Sequence, residues 1–287
     1  MNGLGRKVLV AAFDGWNDAG EAASAAVAHL RENGEYEPVF SVDPELYFDY
    51  QYTRPQITLD ADGRRLLKWP EATILRPMKS TRSTQLWLLT GVEPARAWQA
   101  FASEFVDVAL REDITGLISL GSMMSDVPHT RPISIFAGSE SEQVRTTLDL
   151  ERSTYEGPVG ILSVLSQAAD AAGIPSASLW ASVPHYVAAA PNPKAALALV
   201  RKLEGLVGVS VDAEELERSA ADYERQVSLA VQSDPDVQAF VERLEQAVEE
   251  EEAEEGVSLD LPSGDVLARE FQRFLRQRGN EPPKPPR

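Results

Sequence analysis

The chain has 287 residues, 43% of them hydrophobic, enough for one large core or two smaller ones. It contains no cysteine, so disulfides, cysteine-ligated zinc and thiol nucleophiles are excluded, and a cytoplasmic setting is the expectation. The formal net charge of -18 disfavours nucleic acid and anionic membrane as partners.

In chain order, Met1 to Lys7 leads straight into a strand without the apolar region of a signal peptide, and no apolar run is long enough to span a bilayer. Val8 to Phe13 reads as a strand buried on both faces. The polar turn Asp14-Gly15-Trp16-Asn17-Asp18 follows, and then an Ala-rich helix to Leu30, with Asp18 and Glu21 spaced as a capping box. Glu37 to Val42 is a second strand. Asp43 to Arg54 is an irregular segment rich in aromatics, either a binding loop or a loop stapled to its own core. Ile57 to Trp69, turning at Gly63, reads as a hairpin, and Thr73 to Leu75 and Gln85 to Gly91 as further strands.

Glu93-Pro94 is expected to open a helix running to Arg111, with Trp98, Phe101, Phe105 and Val108 on its core face. Ile114 to Gly121 is another buried strand, ending in the polar loop Gly121 to Pro132, and Pro132 to Ala137 returns as a strand. Gly157-Pro158-Val159-Gly160 precedes a helix from Ile161 to Ala172 that Gly173 closes. Ala177 to Val183 is the last strand and ends in Pro184-His185-Tyr186. Asn192-Pro193 starts a helix reaching Leu206.

Strands and helices thus alternate through residues 1–207, which predicts an α/β core: a mixed, mostly parallel sheet with helices on both faces. Right-handed crossovers put the loops after Phe13, Leu120 and Val183 on one edge, where ligand sites gather in open sheets. The candidate cleft residues there are Asp14, Trp16, Asn17, Asp18, Gly121, Ser122, His129, Arg131, Gly160, His185 and Tyr186.

From residue 208 the composition changes. Residues 212–260 hold 17 Asp and Glu against 3 Arg, a net of -14, leaving -4 for the rest of the chain. Asp212 and Glu215 are spaced as a second capping box. Leu216, Ala220, Tyr223, Val227 and Ala230, then Val237, Val241, Leu244 and Val248 beyond the Ser233-Asp234-Pro235 breaker, form two narrow apolar seams. They predict, over 208–279, an acidic helical hairpin and a terminal helix from Ser263 to Gly279, packed on the core or on a neighbouring subunit. A disordered tail is expected over 280–287.

No Rossmann glycine fingerprint, phosphate loop or nucleophile elbow occurs. His129 and His185 are the histidines placed to act as general bases. Ser122 or Ser125 with Asp126 would complete a hydrolase-like set if the hydrogen bonds exist. Carboxylates at strand ends usually cap and form turns, so no metal site and no cofactor are assigned.

Three stretches together resemble the proteasome assembly chaperone 2 family in its actinobacterial form. They are Phe13-Asp14-Gly15-Trp16-Asn17-Asp18-Ala19-Gly20, Gly157-Pro158-Val159-Gly160-Ile161, and Leu179-Trp180-Ala181-Ser182-Val183-Pro184-His185-Tyr186. The similarity runs over about residues 7 to 207. It implies a three-layer sandwich of the phosphorylase/hydrolase-like type. It also implies a non-catalytic assembly protein that forms homo-oligomers and meets proteasome subunits or another protein assembly. The hydrophobic-Tyr-any-residue tail used by such chaperones is not matched by Lys284-Pro285-Pro286-Arg287. The alternative is a small-molecule binder or a hydrolase- or phosphorylase-like enzyme using the strand-end cleft.

Overall fold

The run Val8 to Phe13 carries no charge and is buried throughout, and it forms the middle of a seven-stranded sheet. The computed structural model describes residues 3–79, 84–187 and 191–255, with side chains described as far as 250. The elements are β1 (Lys7–Asp14), α1 (Ala22–Glu32), β2 (Tyr36–Ser41), α2 (Pro44–Tyr47), β3 (Gln56–Leu59), β4 (Arg65–Lys68), β5 (Ala72–Pro77) and β6 (Gln85–Val92). They continue with α3 (Trp98–Arg111), β7 (Gly116–Ser125), β8 (Ile135–Gly138), α4 (Glu142–Leu148), α5 (Ile161–Ala171), β9 (Ser176–Pro184), α6 (Pro193–Val207), α7 (Glu214–Gln232) and α8 (Pro235–Glu255).

The strand order is β2-β5-β6-β1-β7-β9-β8. The four central strands β6, β1, β7 and β9 are parallel, whereas β5 runs against both β6 and β2, and β8 runs against β9. The sheet is therefore mixed, parallel in the middle and antiparallel toward both ends. Side chains alternate across it. Val8, Val10 and Ala12 join a core with α1 and α6, while Leu9, Ala11 and Phe13 join a core with α3 and α5. Ala22, Ala23 and Ala26 are fully buried, and their small side chains let α1 lie close to the strands. The opposite layer is held by Phe13, Phe101 and Phe105, with ring centroids 5.7 and 4.8 Å apart along that chain.

Several local expectations are corrected. The helix expected from Glu93 begins only at Trp98, after Ala97 in a left-handed conformation. Glu93 instead extends the sheet edge, its amide donating to the Asp14 carbonyl at 2.9 Å. The β7 strand continues to Ser125 because β9 pairs with it along that whole length, so Gly121 and Ser122 lie within a strand and not in a loop. Neither capping box closes. Glu21 is left-handed, and Asp18 Oδ1 instead accepts from the Ala23 and Ser24 amides at 2.8 and 3.1 Å, capping α1 from outside its first turn. Asp212 Oδ1 accepts from Glu214 in a local turn while Ala213 stands at the cap.

The aromatic segment is largely stapled to the core: Tyr47 and Phe48 are buried, and the Tyr47 hydroxyl donates to Glu104. The β3–β4 ribbon stands apart, exposed along both strands. In the C-terminal hairpin the seam is Ala220, Tyr223, Val227 and Val231, with Val231 taking the place expected of Ala230, and Val241 answers from α8. The terminal helix over Ser263 to Gly279 and the tail lie outside the described residues.

Candidate functional site

The carboxyl ends of β1, β6, β7 and β9 meet at one edge. The β1–α1 connection is fastened there by backbone and side chain together. Asp18 bridges to Ser122 of β7, the Ser122 amide donates to the Asn17 carbonyl at 2.8 Å, and its hydroxyl donates to the Ala19 carbonyl at 2.9 Å. Asp18 is buried, and that burial pushes its carboxyl above the ordinary carboxylate range. Its Oδ2 is buried without a hydrogen-bond partner.

Glu93 is the joint between this connection and α5, and its position next to Pro94 hid that role. Its Oε1 accepts from the Ile161 amide at 2.9 Å at the start of α5, and its Oε2 accepts from the Trp16 amide at 3.4 Å. A carboxylate there suits the positive end of the helix dipole. Gly160 is needed in the same corner, since a Cβ at that position would overlap Asn17 Oδ1.

Beside this corner a cleft of about 300 Å³ opens over β7, β9 and β8. Trp16, Asn17 and Gly160 form one end, and Phe136, Tyr155 and Trp180 supply aromatic walls. Ser119, Ser176 and Ser178 lie on its floor. The alternation Ser176, Ser178, Trp180, Ser182 along β9 is the sequence signal for this polar strand face. Of the expected site residues, Trp16, Asn17 and Gly160 line this cleft, and Gly121 shapes it by leaving room for the Trp180 ring, 2.6 Å from where a Cβ would stand. Asp14 is exposed at the end of β1, and Asp18 and Ser122 are structural fasteners.

His129, Arg131, His185 and Tyr186 form a second group against the helical hairpin, with His129 buried and His185 still exposed. The Tyr186 hydroxyl accepts from the His129 amide at 2.7 Å and lies 2.8 Å from Nδ1, while Nε2 is 3.0 Å from the Ser228 hydroxyl of α7. Both ring nitrogens of His129 thus face a hydroxyl, and the imidazole tautomer sets which of the two donates. Burial, and then the charge of Lys194, hold the imidazole below its ordinary pKa; burial pushes the Tyr186 phenol up to about 12. Thr130 donates to Glu245 and Arg131 pairs with Glu249, both on α8. His185 Nδ1 lies 3.0 Å from Asp126 Oδ1, and its ring meets Phe240 edge-on at 5.5 Å.

This arrangement does not assemble the hydrolase-like set on His129. Both ring nitrogens of His129 are occupied by Tyr186 and Ser228, and the Ser122 hydroxyl is turned to a backbone carbonyl. Among the described residues no group of three or more His, Asp or Glu could hold a metal ion, and no helix is long and apolar enough to cross a membrane.

A mixed sheet between helical layers, with an edge cleft and a helical hairpin clamped over the neighbouring loop, defines the class of protein. The chain belongs to the PAC2 family, whose model matches residues 12–231. It is similar to the crystal structure of a PAC2 family protein from Streptomyces avermitilis, with 38% identity and a TM-score of 0.75 over 82% of this chain and 99% of that one. It is equally similar to a Mycobacterium tuberculosis proteasome-assembly chaperone homologue, at 38% identity and a TM-score of 0.72 over the same shares. An archaeal proteasome activator from Pyrococcus furiosus shares the fold at 15% identity and a TM-score of 0.62, over 79% of this chain and 94% of that one. A search of curated proteins returns no match.

Proposed function

We propose that this chain is a non-catalytic assembly protein of the proteasome-assembly-chaperone type, acting as a homo-oligomer in the cytoplasm on proteasome subunits. The fold type under this reading is the phosphorylase/hydrolase-like sandwich. The observation that carries the proposal is the β3–β4 ribbon. Ile57, Leu59, Leu66 and Leu67 are each more than half exposed on a two-stranded sheet, and such a ribbon is marginal in water on its own. Ile57, Leu59 and Leu67 share one face, because Ile57 is paired with Leu67 and Leu59 lies two residues along. Residues 54–69 carry four basic side chains against two acidic ones, in contrast to the net -14 of 212–260. This charge complementarity supports a second copy of the chain as the ribbon's occupant.

The similarity to a mycobacterial proteasome-assembly chaperone homologue across nearly all of that chain supports the choice of proteasome subunits as the client. The enzyme reading has less support, because the hairpin covers His129 and both of its nitrogens are engaged, one by Tyr186 and one by Ser228 of α7. The test is co-expression of the tagged full chain with mycobacterial proteasome α and β subunits. Co-isolation of unassembled α subunits and a higher yield of assembled particles are expected. Equal yields with and without the chain, and no retained subunit, would overturn the reading.

A further inference from the structure

Four cleft-facing side chains are each set against a glycine. A Cβ at Gly121 would stand 2.6 Å from the Trp180 ring, and one at Gly138 would stand 2.9 Å from the Phe136 ring. Gly157 in the same way makes room for Tyr155, and Gly160 for Asn17. Four such accommodations, from β7, β8 and the segment before α5, fix three aromatic walls and an amide around one hollow. The hollow measures about 300 Å³, the low end of the range for small-ligand sites and the scale of a bicyclic ring.

The lining chemistry narrows the occupant. Among the described residues no Lys, Arg or His lines the cleft, so an anion would lose its hydration with no counter-charge in place. Among the described residues the one carboxylate on the lining, Glu140, is an exposed group already paired with Arg152 at 3.0 Å, so a cation is not specifically called for. What remains is aromatic faces, with serine hydroxyls and the Asn17 amide between them. Asn17 is 95% buried, and its Oδ1 has no hydrogen-bond partner.

We propose that this cleft is a binding site for an uncharged, planar, bicyclic heteroaromatic ligand, stacked among Trp16, Phe136, Tyr155 and Trp180 and hydrogen-bonded at its rim. The inference is independent of the assembly role, since the cleft lies on the α5 face of the sheet and the hairpin packs on α6, which belongs to the opposite face.

The experiment is isothermal titration of the full chain with three probes: quinazolin-4-one, a saturated bicyclic lactam of the same size, and quinoline-4-carboxylate. Quinazolin-4-one is expected to bind saturably with a Kd at or below about 1 mM, and the other two at least about tenfold more weakly. Trp16 is partly exposed, and Trp16→Ala should weaken binding about fivefold. Ser163 is exposed on the first turn of α5 and lines the cleft, so Ser163→Phe should fill the hollow and abolish binding while the melting temperature stays put. The proposal is overturned by the absence of saturable heat with quinazolin-4-one. Equal affinity for the saturated lactam, or binding that survives Ser163→Phe, would overturn it as well.

Discussion

Glu93 and Ile161, 68 residues apart, are joined by one hydrogen bond of 2.9 Å from the Ile161 amide to the Glu93 carboxylate, and the first turn of α5 is thereby fixed to the end of β6. The same carboxylate holds the Trp16 amide. Glu93→Ala is expected to cost about 1–2 kcal/mol of stability, the size of a lost helix cap, while Glu93→Gln, which keeps an acceptor, costs less. Urea denaturation of the two variants checks the order; equal losses would mean that the charge and not the hydrogen bond matters.

Gly160→Ala forces a methyl group into the space of Asn17 Oδ1. The backbone there has φ -96, so the conformation itself suits alanine and the conflict is steric. A loss of about 1–3 kcal/mol is expected. Adding Asn17→Ala should return part of it, so the double variant is more stable than the sum of the single changes predicts. Strict additivity would sink this account.

Asp18 separates capping from charge. Asp18→Asn can keep Oδ1 as the acceptor for Ala23 and Ser24 while removing a buried carboxylate whose Oδ2 is unpartnered. Asp18→Ala loses the cap as well, at about 1–2 kcal/mol. The asparagine variant should therefore be the more stable of the two at neutral pH, by chemical denaturation. Because burial raises the Asp18 pKa, its unfavourable contribution fades as pH falls through the folded-state value, so the gap between wild type and Asp18→Asn changes in favour of wild type on acidification.

His129 gives the opposite pH dependence. Its folded-state pKa lies below the ordinary 6.5, so below that value the unfolded chain binds a proton that the folded one refuses. Its contribution to stability is present above pH 6.5 and is lost as pH falls toward the folded-state pKa. Stability measured from pH 7.5 to 5.5 should fall more steeply in wild type than in His129→Gln. Parallel curves would show that His129 is not the group responsible.

The exposed ribbon makes a prediction about mass. Replacing Leu59 and Leu67 by serine removes apolar surface from one face of an exposed hairpin and should leave the monomer fold intact. Light scattering is expected to show a smaller particle for the variant than for wild type, with unchanged circular dichroism. A wild-type monomer, or an unchanged oligomer in the variant, would rule out the ribbon as the contact between copies.

The sheet was legible because its signals are local. Val8 to Phe13 and Ala177 to Val183 are short uncharged runs, and each lies where it was expected. The turn from Asp14 to Asp18 was legible as a strand-end corner for the same reason, its residues being contiguous. The grouping of the candidate residues was not. Whether His129 and Tyr186 face a cleft or a protein interior depends on Ser228, Phe240 and Glu245, and nothing near residue 129 announces helices a hundred residues on. The role of Glu93 is not legible locally, because Glu-Pro opens helices as readily as it ends strands. The extension of β7 to Ser125 depends on its pairing with β9, a long-range property that polar residues in the run disguised.

Among the described residues, the hydrogen bonds and ion pair that tie His129 to Arg131 to the two long C-terminal helices run to Ser228, Glu245 and Glu249, while Phe240 meets the neighbouring His185 and Tyr186 edge-on. Among the described residues the buried seam on those helices is only five residues, Ala220, Tyr223, Val227, Val231 and Val241. Such a latch releases as a unit well below the free energy of global unfolding. The amides of that loop and of α7 should then exchange with solvent at matching rates, and proteolytic nicking of one should expose the other.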